Sequence, residues 1–198
     1  GIAKMLNFAH GDVIMIGSYV VYFAFGASGL NPVLSIVLSM IVCTILGVVI
    51  ERLAYRPLRE APSLAVLITA IGVSYLLQQV AQLSWSSNPK SFTSVVSGMK
   101  PVSLFGGQLT ISAETIVTIV ACVVIMVVLM WFVNYTPAGH AMLAVSEDRG
   151  AAQLMGVNVN GTISLTFAIG SALAAIAGAL LCSSYPTLQP TTGAMPGI

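Results

Sequence analysis

Charge is what this chain has least of. Of its 198 residues only 7% are charged, against roughly 25% in an average soluble domain, while 57% are hydrophobic and the mean hydropathy is +0.97. That deficit excludes an ordinary water-soluble globule. A disordered chain is excluded as well, because disorder needs low hydrophobicity and high net charge. Seven Lys or Arg against six Asp or Glu leave a formal charge of +1, so there is no basic field for nucleic acid and no acidic tail. Cysteine is equally scarce: Cys43, Cys122 and Cys182 form no CxxC pair and lie in apolar runs. They read as small hydrophobes, neither disulfides nor metal ligands. No HExxH is present to hold zinc, no Ser or Cys nucleophile has a recognisable base near it, and His10 and His140 lie far apart in sequence. An enzyme is therefore not expected. An integral membrane protein is.

What is there is apolar and long. Residues 13–50, 61–89, 115–146 and 150–198 contain no Asp, Glu, Lys or Arg. One helix over the first stretch would be about 57 Å long, roughly twice the hydrocarbon core, so it must fold back. Gly26, Gly29, Asn31 and Pro32 offer the turn. Five spans are expected, near 13–28, 32–51, 63–83, 113–133 and 162–184, in an all-α polytopic bundle forming one transmembrane domain over 1–198. The connection 52–62 carries Arg52, Arg56 and Arg59 and by the positive-inside rule belongs in the cytoplasm. Parity then puts 84–112 outside and 134–161 inside, together with Lys4. Trp85, Trp131 and Tyr135 suit the headgroup level as aromatic anchors. The first residues lack the pattern of a signal peptide, and the abrupt ends lead to the expectation that a helix or more is missing at each.

Few polar groups interrupt the apolar runs. Asn7, His10 and Asp12 break the sequence before the first span. Asp12 is placed to cap that helix, while the cluster as a whole could instead border a substrate path at an interrupted helix. Ser74, Gln78 and Gln82 fall at spacing four on one stripe, with Thr69, Gly72 and Gln79 beside it; amides left unpaired in lipid are costly, so the first stripe should face other helices or a wet route. The fourth span, rich in Ile and Val, looks like a lipid-facing scaffold, with Ser112 as its N-cap. In the last span Gly170, Ala174, Gly178 and Cys182, and beside them Ser171, Ala175, Ala179 and Ser183, form two small-residue rows where another helix of this chain or of a partner can pack closely. Within the inward loop 134–161, residues 138–155 are rich in helix formers and Gly156 is a natural stop. Glu147, Asp148 and Arg149 fan out there, leaving Ala144, Ala151, Ala152, Leu154 and Met155 for apolar contact. A helix on the membrane surface, or a docking helix for a cytoplasmic protein, would look like this.

Together these stretches resemble the LivH-type permease subunits of bacterial ABC importers for branched-chain amino acids. The resemblance is carried by Met5–Asp12 (MLNFAHGD), Met15–Tyr19 (MIGSY), Glu51–Arg59 (ERLAYRPLR), Ile68–Ser74 (ITAIGVS), Ala144–Asn158 (AVSEDRGAAQLMGVN) and Ala174–Gly178 (AAIAG). Residues 84–112 lack a close match, His140 stands where relatives often carry Arg, and the glycine-rich sequence usual after Gln189–Gly193 is absent. The resemblance implies a second homologous permease subunit, two cytoplasmic ATP-binding subunits and an external amino-acid-binding protein. It also implies that Glu147, Asp148, Ala151, Ala152 and Gly156 couple the permease to the ATPase. Asn7, His10, Asp12, Ser74 and Gln78 are the translocation-path candidates, and Gly170, Ala174 and Gly178 the packing candidates. With no GxxxxGK[ST] loop and no ionisable group in mid-span, neither a nucleotide nor a proton relay is expected in this chain, and ATP would be bound by partner subunits. The nearest rival is a permease for a sugar such as ribose, whose relatives share the pattern Gly156, Asn158, Asn160; an ion-driven carrier or channel is the other class.

Overall fold

The structure, a computed structural model, describes residues 10–59, 61–91, 94, 102–104 and 109–192. Helix α1 (His10–Val21) widens into a π-helical stretch over Tyr22–Ala27. The turn that follows is the one the Gly–Asn–Pro sequence predicts. Gly29 takes φ +64°, a conformation that costs glycine little. The Asn31 side chain accepts from the Val33 N–H at 3.1 Å, and Pro32 fills the first position of α2 (Pro32–Ile50), where its missing N–H is no loss.

Helix α2 does not stop at the arginines. It continues as a π turn over Glu51–Tyr55 and a 3-10 turn over Arg56–Leu58, so most of the connection expected at 52–62 is helical. Both Glu51 and Tyr55 are fully buried, and partners inside the protein hold the chain in helical form beyond the end of the apolar run. Helices α3 (Ser63–Trp85) and α4 (Ala113–Tyr135) follow, then α5 (Pro137–Glu147), α6 (Arg149–Leu154) and α7 (Val159–Ser184). Ser112 caps α4 as expected, accepting from the Thr115 N–H. Among the described residues four stretches are long and apolar enough to cross a membrane: Pro32–Leu58, Leu64–Trp85, Ala113–Tyr135 and Val159–Ser184. The first expected span, α1 with its π continuation, differs in kind. It starts on His10, Gly11 and Asp12 and is the most enclosed of the described helices, packed against α2, α7 and α3, so from Gly11 and Asp12 on it meets protein instead of lipid.

Four short strands sort the helix ends into two faces. Strand β1 (Lys90–Ser91), after α3, pairs antiparallel with β4 (Thr187–Leu188), after α7, while β2 (Val102–Leu104) and β3 (Leu109–Ile111) form a hairpin in the segment before α4. The Lys90 ammonium lies 5.8 Å from the ring centres of Tyr22 and Phe23, at the far end of α1. Arg59, after α2, bonds to Asn160, at the start of α7. The two sets of ends are those that parity separates into outer and inner. Trp131 and Tyr135 are exposed at the C-terminal end of α4. Trp85 is not an anchor: it is half-buried and stacks on the fully buried Tyr19 with ring centres 4.6 Å apart.

Candidate functional site

Two helices bring polar side chains together in the bundle. Asp12 is 1% exposed. Gln78 donates from Nε2 to Asp12 Oδ1 at 3.0 Å and to Ser74 Oγ at 3.3 Å. The spacing of four that sets Ser74 and Gln78 on one stripe of α3 thus delivers an amide and a hydroxyl to the start of α1. Asp12 lies within the first turn of α1, not at the expected cap position, and its carboxylate is satisfied across the helix–helix interface. His10, two residues earlier, is exposed, with its Cε1 atom 4.0 Å from where a Cβ on Gly170 would stand. Asn7 lies outside the described residues. The neighbouring stripe of α3 is less engaged: Thr69 bonds back to the Ala65 carbonyl at 2.9 Å, while Gly72 and Gln79 are exposed.

Small residues let α1, α2 and α7 approach closely. A Cβ on Gly178 would stand 2.5 Å from the Ile14 carbonyl oxygen and 2.6 Å from Ser18 Oγ, and one on Gly17 would stand 2.9 Å from the Ala175 Cα. Ala174, Ala175, Ala179 and Cys182 are buried in this seam, so the small-residue rows of α7 pack within the chain. Gly170 is the exception. It is half-buried beside an apolar cavity of about 160 Å³ that also touches Leu129 and Phe132 of α4 and Met142 of α5, and it contacts neither α1 nor α2 backbone. Helix α2 answers with Ser35, Ser39, Cys43 and Gly47 at spacing four, all buried; Ser39 Oγ donates to the Gly17 carbonyl at 2.8 Å.

The loop expected as one helix over 138–155 is two, broken at Asp148. Its backbone is extended there (φ −147°, ψ 114°), and its carboxylate accepts from the N–H groups of Gly150 at 2.8 Å and Ala151 at 3.1 Å. Capping a new helix outcompetes continuing the old one. Gly156 ends α6 with φ +84°, as a C-terminal glycine does. Ala152, expected at the docking surface, is instead buried with Val145 of α5 and Ile163 of α7. Glu147, Ala151 and Gly156 are exposed, and the tip shows Leu154 at 90% and Met155 at 84% exposure. At the other end, a side chain on Gly139 would collide with the carbonyl oxygens of Phe132 and Val133, and Thr136 caps α5. The two-helix element is therefore anchored on both α4 and α7.

The family model for the branched-chain amino acid transport system permease component matches residues 1–198. The chain belongs to that family. It is 39% identical to the high-affinity branched-chain amino acid transport system permease protein BraD of Pseudomonas aeruginosa and 37% identical to the corresponding permease protein LivH of Salmonella typhimurium. Each alignment covers 100% of this chain and 67% of the relative. The ribose import permease protein RbsC of Haemophilus influenzae is 36% identical over 64 residues, 32% of this chain. No solved structure matches the chain. The protein is thus a multi-pass membrane permease, one component of a transport system, and its fold class is the helical bundle that its composition demands.

One polar knot of the permease escapes a reading of its sequence. Glu51, fully buried, pairs with Arg59 and accepts a hydrogen bond from Ser164 Oγ at 2.6 Å on Oε2; Arg59 reaches on to Asn160 Oδ1. Sequence alone treats Arg59 as one more inward positive charge. Its partners lie 8, 101 and, through Glu51, 113 residues apart in the chain, beyond any local pattern. The small row of α2 was open to view by its spacing, yet its Ser and Cys members sit among larger apolar residues that mask it.

Proposed function

We propose that this permease forms the translocation path of an ATP-driven importer for the branched-chain amino acids leucine, isoleucine and valine in a bacterial inner membrane. The substrate class rests on the names of the relatives that match over the whole chain, whereas the sugar-permease matches are shorter or less identical. The observation that carries the mechanism is the α5–α6 element, whose apolar tip at Leu154 and Met155 stands in solvent while its base is fixed to two spanning helices. An exposed apolar tip of this kind fits a groove on a partner. Two cytoplasmic ATP-binding subunits would take it, with Glu147, Asp148, Ala151 and Gly156 around the contact and Ala152 serving the internal anchor. A second homologous permease and an external binding protein complete the importer. ATP is bound by the partners, and this chain carries out no chemistry of its own.

In this reading, closure of the ATP-binding subunits pushes the tip. Because Gly139 and Thr136 fix α5 to α4, and Val145 and Ala152 fix the element to α7, the push becomes a tilt of both helices. The tilt alternately opens a path bordered by Asn7, His10, Asp12, Ser74 and Gln78. Few polar groups there suit a cargo that must leave again. In a reconstituted transporter, leucine and not ribose is expected to compete for uptake, and uptake is expected to stop when ATP hydrolysis is blocked. Crosslinkers placed at Glu147 or Gln153 should capture an ATP-binding subunit. Competition by ribose would move the chain to the sugar branch, and a transport-competent complex without crosslink would remove the docking role.

A further inference from the structure

We propose that the cleft between the end of α2 and the start of α7 binds the phosphate headgroup of an anionic phospholipid in the cytoplasmic leaflet. The cleft measures about 540 Å³ and is lined by Arg52, Arg56, Asn158, Asn160 and Ser164, with Val48 at its apolar edge. Both arginines are exposed, and neither bonds to another described residue. Glu51, the neighbour of Arg52 in sequence, has both its oxygens engaged by Arg59 and Ser164. The cleft therefore presents two guanidinium groups beside the side-chain amides of Asn158 and Asn160, a donor set that phosphate oxygens take, while the Ser164 hydroxyl on its wall gives its proton to Glu51.

Depth selects a lipid over a dissolved anion. The 19 residues of α2 span about 28 Å, nearly the thickness of the hydrocarbon core, so Arg52 and Arg56 fall within about two turns of its edge, where headgroups lie. On the neighbouring row of the same helix Ile45, Val49 and Leu53 are exposed at spacing four, with Leu53 75% exposed. A headgroup in the cleft would lay its acyl chains along that stripe. Basic pockets between helices on the cytoplasmic side hold anionic headgroups on this principle.

The test uses the full chain in phosphatidylcholine vesicles with spin-labelled phosphatidylglycerol or phosphatidylcholine, reading the motion-restricted fraction of each label. The parent protein is expected to restrict phosphatidylglycerol several-fold more. Replacing both arginines (R52Q with R56Q) should bring that preference down to near parity, whereas R52K with R56K should keep most of it. Asn158→Asp preserves the cap on the Gly161 N–H while placing a negative charge in the cleft, so it should weaken the preference without unfolding α7. Lys90→Gln, at the opposite face, should leave it intact. Equal restriction of the two lipids by the parent, or a preference that survives both the glutamine pair and Asn158→Asp, would overturn the proposal. So would loss of the preference in excess inorganic phosphate, which would assign the cleft to a free anion.

Discussion

Glu51 has no exposed surface and sits within the membrane-capable stretch Pro32–Leu58, a position that only a matched charge makes tolerable. Arg59, with 11% of its side chain exposed, supplies that charge, and Ser164 satisfies the second oxygen. Removing one partner leaves the other buried and unpaired. Glu51→Gln is expected to destabilise the protein by about 3 kcal/mol, at the low end for a buried pair because Arg59 retains some solvent. Thermal unfolding in detergent measures it, and the double variant Glu51→Leu with Arg59→Met should recover much of the loss. An unchanged midpoint in Glu51→Gln would show that the pair holds nothing together. Asp12 is the contrasting case: its local sequence suggested a cap, and its partner Gln78 lies 66 residues away, so the pairing belongs to the packing of α1 on α3.

Two glycines of the same helix row separate pattern from packing at the scale of the element. Gly178→Ala puts a Cβ 2.5 Å from a carbonyl oxygen of α1, and overpacking of that kind costs about 1 to 3 kcal/mol. Gly170→Ala meets nothing closer than 4.0 Å and gains helix propensity, so it should be neutral or stabilising by up to about 1 kcal/mol. The two midpoints measured side by side decide it; equal losses would mean that the α1–α7 approach is looser than described. The spacing of four told that α7 has a packing face, yet both rows carried the same signal, and the partner alone decided which members touch. The break at Asp148 has a similar origin. Its caps to Gly150 and Ala151 predict that Asp148→Ala costs α6 about 1 kcal/mol while Asp148→Asn costs less. Hydrogen exchange of the amides at 150–155 should quicken in the first variant and stay near the parent rate in the second.

The pairing of β1 with β4 and the bond from Arg59 to Asn160 fix which helix ends share a face across the whole molecule. Tyr185, just after α7, and Leu154, at the end of α6 before α7 begins, are both exposed and flank α7. In a cysteine-free background, Tyr185→Cys should react with a membrane-impermeant maleimide in intact cells, and Leu154→Cys only after permeabilisation. The reverse pattern would invert the molecule. Composition already determined that the chain lies in lipid, because so little charge cannot clothe a soluble surface, and charge asymmetry with parity ordered the helix ends. Local chemistry likewise determined the turn at Gly29–Pro32 and the stop at Gly156, since backbone preference and capping act over a few residues. Only the tertiary structure decided that α1 is enclosed, that Trp85 packs inward, that Ala152 is buried between α5 and α7, and that Glu51 meets Arg59, Ser164 and, through Arg59, Asn160. These depend on which distant surfaces meet, and in a membrane, where apolar helices gain little from burial against one another, close fit and polar pairing make that choice.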